Sequence, residues 1–118
     1  MQKYEFTKET QEFFGHTLHQ IVATRNFGDV KAGDLGGFIE TEGNLSHNGN
    51  AWVCGYAQVS GNARVSGDAR VFENAQVSGN ASVCGDARVY GDALVYGDAR
   101  VSGNARVFGK AWVYGDAW

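Results

Sequence analysis

Proline is absent from the 118 residues, while glycine occurs 17 times, roughly twice its usual share of about 7%. Glycine without proline excludes collagen and proline-rich linkers. No apolar run approaches about 18 residues, so no transmembrane helix is expected. Residues 1–20 carry Glu5, Glu9 and Glu12 and lack the apolar core of a signal peptide. Cysteine is scarce. Cys54 and Cys84, without an export signal, fit a cytoplasmic chain. A basic tract is missing too. Residues 1–48 hold four Lys/Arg against seven Asp/Glu, residues 49–118 hold six against six, and the net charge is -3. A dominant nucleic-acid footprint is therefore not expected.

What is present is one domain's worth of chain with 43% hydrophobic residues and a repeat. From Gly49 the chain reads in hexads: Gly49-Asn50-Ala51-Trp52-Val53-Cys54, then Gly55-Tyr56-Ala57-Gln58-Val59-Ser60, and on to Trp118. The third position is Ala from Ala51 to Ala117, and the fifth is Val from Val53 to Val113. The first is Gly except at Glu73. Ala and Val two apart face one side of a strand, and the polar or variable residue between them faces the other. A glycine at each strand end supplies the turn. A helix fails, because Val recurs every six residues and glycine is everywhere. A pentapeptide solenoid fails on the period.

Six-residue sides with one small and one aliphatic inward residue suit a triangular coil of 18 residues. The pattern strongly resembles the hexapeptide-repeat proteins. That resemblance implies a left-handed parallel β-helix, its hand coming from the family, since the crossover rule alone would favour the opposite path. Degenerate hexads extend the frame upstream. Gly43-Asn44-Leu45-Ser46-His47-Asn48 places Leu45 in the Ala slot, and Gly37-Phe38-Ile39-Glu40-Thr41-Glu42 also fits. Residues 37–118 then make about four and a half coils, a prism on the order of 20 Å tall.

Residues 1–36 are expected to form an N-terminal β cap. Lys3 to Thr7 alternates like a strand, and Thr17 to Thr24 is a second strand candidate. An open first coil would expose backbone and core, so a solenoid needs such a cover. The segment Val30 to Glu40 resembles the lead-in of small phage and prophage hexapeptide-repeat proteins, often labelled transferases by fold alone.

Residues 18 apart share a face. One face carries Arg70, Arg88 and Arg106, with Phe72, Tyr90 and Phe108 at the sixth position, below Trp52 and Cys54. The next carries Gln58, Gln76, Leu94 and Trp112, with Ser60, Ser78, Tyr96 and Tyr114. The third carries Arg64, Ser82 and Arg100. Exposed aromatics, from Phe72 to Trp118, signal an interface. It serves either self-association, as a trimer or an end-to-end dimer, or a foreign protein. Asp68, Asp86, Asp92 and Asp98 interleave with the arginines and argue against nucleic acid.

The resemblance implies a second function, acyl transfer from acyl-CoA with a histidine as general base. The candidates are His16, His19 and His47. His16 and His19 have no carboxylate at a spacing that orients them, and His47 takes an inward fifth position above Val65. No loop interrupts the hexads to wall an active site, and no helix follows the last coil. Cys54 and Cys84 fall on different faces, so neither a disulfide nor a metal site is expected. Gly33, Gly36 and Gly37 lack the Lys-Ser/Thr of a phosphate loop. The reading is a non-catalytic, homo-oligomeric binding protein without cofactor, presenting the Arg/aromatic face to a protein partner. A phage accessory or counter-defence role in a bacterial host cytoplasm would suit it. Acyl transfer, on His19 or His47, and a purely structural rod are the alternatives.

Overall fold

The computed structural model describes residues 3–13, 16–28, 30–46 and 49–114. Each Ala-x-Val triplet makes a short strand with both small side chains turned inward. These are β4 (Trp52–Val53), β5 (Gln58–Val59), β6 (Arg64–Val65), β7 (Arg70–Val71), β8 (Gln76–Val77), β9 (Ser82–Val83), β10 (Arg88–Val89), β11 (Leu94–Val95), β12 (Arg100–Val101), β13 (Arg106–Val107) and β14 (Trp112–Val113). Strands three apart in sequence pair in parallel, Arg70 with Arg88 and Val71 with Val89. Three sheets result, and about four coils stack into an all-β solenoid. The ladder is continuous. Gln58 donates its N–H to Ala75 O at 3.0 Å, Ser60 to Val77 O at 2.9 Å and Asn62 to Gly79 O at 2.8 Å. The Val and Ala columns are fully buried from Ala51 to Ala99. No described helix is long and apolar enough to cross a membrane.

The corners explain the glycines. Gly79 has φ of 67°, and a Cβ there would lie 2.9 Å from Gly97 N on the next coil. Only a residue without Cβ takes both the left-handed angle and the close approach without cost. Glu73 breaks the rule, with φ of 60°. Its Oε1 accepts the Gly91 N–H at 3.2 Å.

The upstream frame differs from the expectation by two residues. Phe38 pairs with Gln58 and Ile39 with Val59, and Leu45 bridges Val65. Ile39 and Leu45 therefore fill the Val column rather than the Ala column. The branched aliphatics take the larger slot, and the smaller slot beside Ile39 goes to Gly37, where a Cβ would meet Ala57 O at 2.7 Å. The bridge separations show the offset: Leu45 to Val65 is 20 residues, whereas Val53 to Val71 is 18. The corner after Leu45 thus holds two extra residues. The inward slot assigned to His47 is occupied by Leu45, and His47 lies outside the described residues.

A 3-10 turn, Glu42–Asn44, replaces a regular corner in this coil. It turns backbone donors away from the next rung, and the Asn44 side chain substitutes for them. Its Nδ2 donates to Gly61 O at 3.1 Å and Ala63 O at 2.8 Å, while its Oδ1 accepts the N–H groups of Glu40 at 2.9 Å and Thr41 at 2.8 Å. One buried amide thus bonds four backbone groups, sharing the Glu40 N–H with Val59 O at 3.1 Å.

The N-terminal residues form a hairpin, β1 (Tyr4–Phe13) with β2 (His16–Ala23), and β2 pairs antiparallel with β3 (Leu35–Ile39). The sheet containing β3, β5, β8, β11 and β14 so begins antiparallel and continues parallel. A register shift between Gln20 and Val22 lets Leu18 and Ile21 both be buried. Tyr4, Ile21, Ala23, Phe27 and Val30 join the cluster of the coil residues. Lys3 is buried among them. Its Nζ donates to Ala51 O at 2.6 Å and stands 4.7 Å from the centre of the Phe27 ring. Burial, with Arg25 nearby, lowers its pKa to about 8. The Tyr4 hydroxyl donates to Leu45 O at 2.6 Å, and burial raises its pKa. Toward residue 114, Ala105 and Ala111 are exposed.

Candidate functional site

The fixed rung spacing turns each outward position into a column. Trp52, Arg70, Arg88 and Arg106 stand in register. Trp52 is buried under Tyr4 and Phe27, in edge contact with both rings. The column therefore shows arginine only. Arg70 is half-buried, and Arg88 and Arg106 are exposed. Among the described residues, Arg88 and Arg106 have no carboxylate in ion-pair range. Asn50, Asp68, Asp86 and Asn104 line one side of an open groove of about 420 Å³ along this column. On the other side Phe72, Tyr90 and Phe108 form one stack, with centroids 4.9 and 5.5 Å apart and planes within 5° and 13°.

The other aromatics belong to a second ladder, not to one patch with the first. Tyr96 stacks on Tyr114 at 5.3 Å, and Trp112 lies on the intervening face at 61% exposure. Phe108 is 56% and Tyr114 57% exposed. Trp118 lies outside the described residues.

A further site lies where the hairpin meets the coils. His16 Nδ1 and Glu40 Oε2 are 2.8 Å apart, and Glu40 Oε1 accepts the Gly61 N–H at 2.7 Å. The histidine hydrogen bond, with the Gly61 N–H adding to it, holds the Glu40 carboxyl below its usual range. His16 overhangs a groove of about 380 Å³ lined by Ser60, Gly61, Asn62, Ser78, Gly79 and Asn80. The amides form a polarised ladder: Asn62 donates to Asn80 and Asn80 to Asp98, both at 3.2 Å.

A family model described as YdcK Beta solenoid repeat matches residues 57–73, 83–97, 87–101 and 99–115. A curated relative from Escherichia coli (strain K12), named Uncharacterized acetyltransferase YdcK, is 36% identical over 61 residues. That match covers 45% of this chain and 19% of the relative, so the chain spans about a fifth of the relative's length. These matches, with the 18-residue coil, fit a hexapeptide-repeat β-solenoid protein.

His16 and His19 have separate fates. His19 stacks on Phe6, with centroids 4.6 Å apart and planes within 6°, which occupies one face of its ring. His16, by contrast, does have an orienting carboxylate, against the expectation from spacing. Glu40 stands 24 residues away in sequence. It arrives there through the antiparallel pairing of β2 with β3, which places His19 opposite Ile39. The sequence signal was faint: a histidine opening one strand and a glutamate following the next. Cys54 and Cys84 are free thiols, and burial raises the pKa of Cys54.

Proposed function

We propose that this chain is a binding protein that offers its Arg/aromatic face to a protein partner. The observation that carries the reading is the pair Arg88 and Arg106, without carboxylate partners among the described residues, beside a continuous ring stack on a rigid ladder. Rigid, pre-positioned aromatic and arginine side chains are the residue types that dominate protein interfaces. Residues 1–36 act as the cap, and the exposed Trp112 and Tyr114 serve self-association as an end-to-end dimer or a trimer. A phage accessory protein acting on a host protein is the form this reading takes. Light scattering coupled to size exclusion, together with capture of the partner, tests it. The Tyr90→Ala/Phe108→Ala double variant should keep its fold and oligomer and lose the partner. Partner capture unchanged by the double variant would remove this face from the reading.

The His16–Glu40 pair supports a second reading, acyl transfer, which also agrees with the name of the YdcK relative. His16, fixed by Glu40, would take the proton from an acceptor hydroxyl or amine lying in the Ser/Asn groove. Acyl-CoA would supply the activated acyl group. His16→Ala should abolish acetyl transfer to hydroxyl acceptors, and Glu40→Gln should weaken it while the fold persists. Absence of transfer by the native protein, or transfer retained in His16→Ala, would sink this reading.

A further inference from the structure

The chemistry of the partner follows from how the Arg/aromatic face is bounded. The rings of Phe72, Tyr90 and Phe108 are stacked face to face. Both faces of Tyr90 are covered, so it offers only its edge, while Phe108 at the end of the stack is 56% exposed. Ring edges carry the positive end of the aromatic quadrupole. Beside them stand the exposed guanidinium groups of Arg88 and Arg106. The result is an electropositive strip, one column of arginine and one of ring edges wide.

Carboxylates flank the strip on both sides. Asp68 and Asp86 line the groove beyond the arginines. Around the other corner lie Glu73, which accepts the Gly91 N–H, and Asp92, which accepts the Asn74 amide at 3.3 Å. A broad polyanion would meet these rims, and nucleobases find no free face on Tyr90. A single narrow row of carboxylates meets neither obstacle.

Rung spacing decides which backbone can supply that row. Neighbouring rungs lie about 4.8 Å apart. Same-face residues of a strand recur every 6.6–6.8 Å or so. Helix residues at i and i+3 or i+4 lie about 5–6 Å apart, the nearer match. We propose that the Arg/aromatic face binds an acidic α-helix, laid along the solenoid axis with a stripe of carboxylates on Arg88 and Arg106. This inference rests on the reading of the face as a protein-docking surface.

The test is fluorescence anisotropy of the purified chain with three labelled probes. The first is a hydrocarbon-stapled, alanine-based helix with glutamates in one stripe. The second has the same composition with the glutamates scattered around the helix. The third is an oligothymidylate. The stripe peptide should bind, more weakly with added salt, and lose roughly tenfold in affinity in Arg88→Gln/Arg106→Gln. Circular dichroism of the variant controls for folding. Equal binding of the scattered peptide, tighter binding of the oligothymidylate, or affinity unchanged in the arginine variant would overturn the proposal. If the Tyr90→Ala/Phe108→Ala variant loses its partner while the stripe peptide ignores the arginines, the docking face stands and the acidic helix falls.

Discussion

The first coil and the coils that follow it solve one problem by different means. From Ala51 to Ala99 the rungs are nearly interchangeable: Ala and Val inside, glycine at each corner but that of Glu73, backbone bonded to backbone. In the first coil backbone bonds persist at Phe38, Glu40, Ser46 and Asn50, but several of these tasks pass to side chains. Asn44 supplies the missing rung donors, Lys3 and Tyr4 bind the carbonyls of Ala51 and Leu45, and Trp52 fills a place that arginine holds elsewhere. The regular coils owe their stability to repetition, so one lost contact has many equivalents. The first coil depends on single residues without substitutes, and its mutations should be the costlier ones.

That contrast can be broken or sharpened by four measurements. Asn44→Ala leaves Gly61 O, Ala63 O and the Thr41 N–H short of partners, while the Glu40 N–H keeps Val59 O, and should cost about 3 kcal/mol in denaturant unfolding. Asn80→Ala, on the exposed amide ladder, should cost within about 0.5 kcal/mol. Equal losses would erase the distinction between the regions.

Within the regular coils, Gly79→Ala should cost about 2–3 kcal/mol, because the new Cβ meets Gly97 N as well as the left-handed angle. Gly103→Ala, with a similar φ and nothing within 4 Å of the new Cβ, should cost about 1 kcal/mol. The gap between them isolates coil contact from backbone strain.

Lys3 tests the first coil by pH. Its folded pKa of about 8 lies below the unfolded value near 10.4. Between these values the unfolded chain holds the extra proton, so stability rises with pH and the burial penalty is fully present below about 8. The melting temperature of the native chain should climb from pH 8 toward pH 10 relative to Lys3→Met. Parallel pH profiles would place the lysine in solvent. The smallest effect concerns Glu73. Glu73→Gly relieves its left-handed angle and forfeits an exposed hydrogen bond, for a net gain of up to about 1 kcal/mol.

The sequence made the regular coils legible because their period is local. Val53 to Val113 and the columns Arg70-Arg88-Arg106 and Phe72-Tyr90-Phe108 follow from counting by 6 and by 18. Counting failed at Ile39 and Leu45, where glycines at 37 and 43 mimic the corner and the true frame is set by side-chain size. It failed again at His16 and Glu40. Their meeting depends on the register between two antiparallel strands, and no period announces that register.

Interchangeable rungs have a further consequence for the length of the molecule. A chain whose rungs are alike could thread one coil too far along and satisfy almost the same contacts. Among the described residues the hairpin, with Lys3, Tyr4, Asn44 and Trp52, distinguishes the first rung from the others. It acts as a zero mark from which the rest is measured. Rung number is then a free dimension: excising residues 67–84 joins Ser66 to Gly85 with every column still in line, one storey shorter. Evolution could lengthen or shorten such a ladder by whole storeys without redesigning either the zero mark or the core.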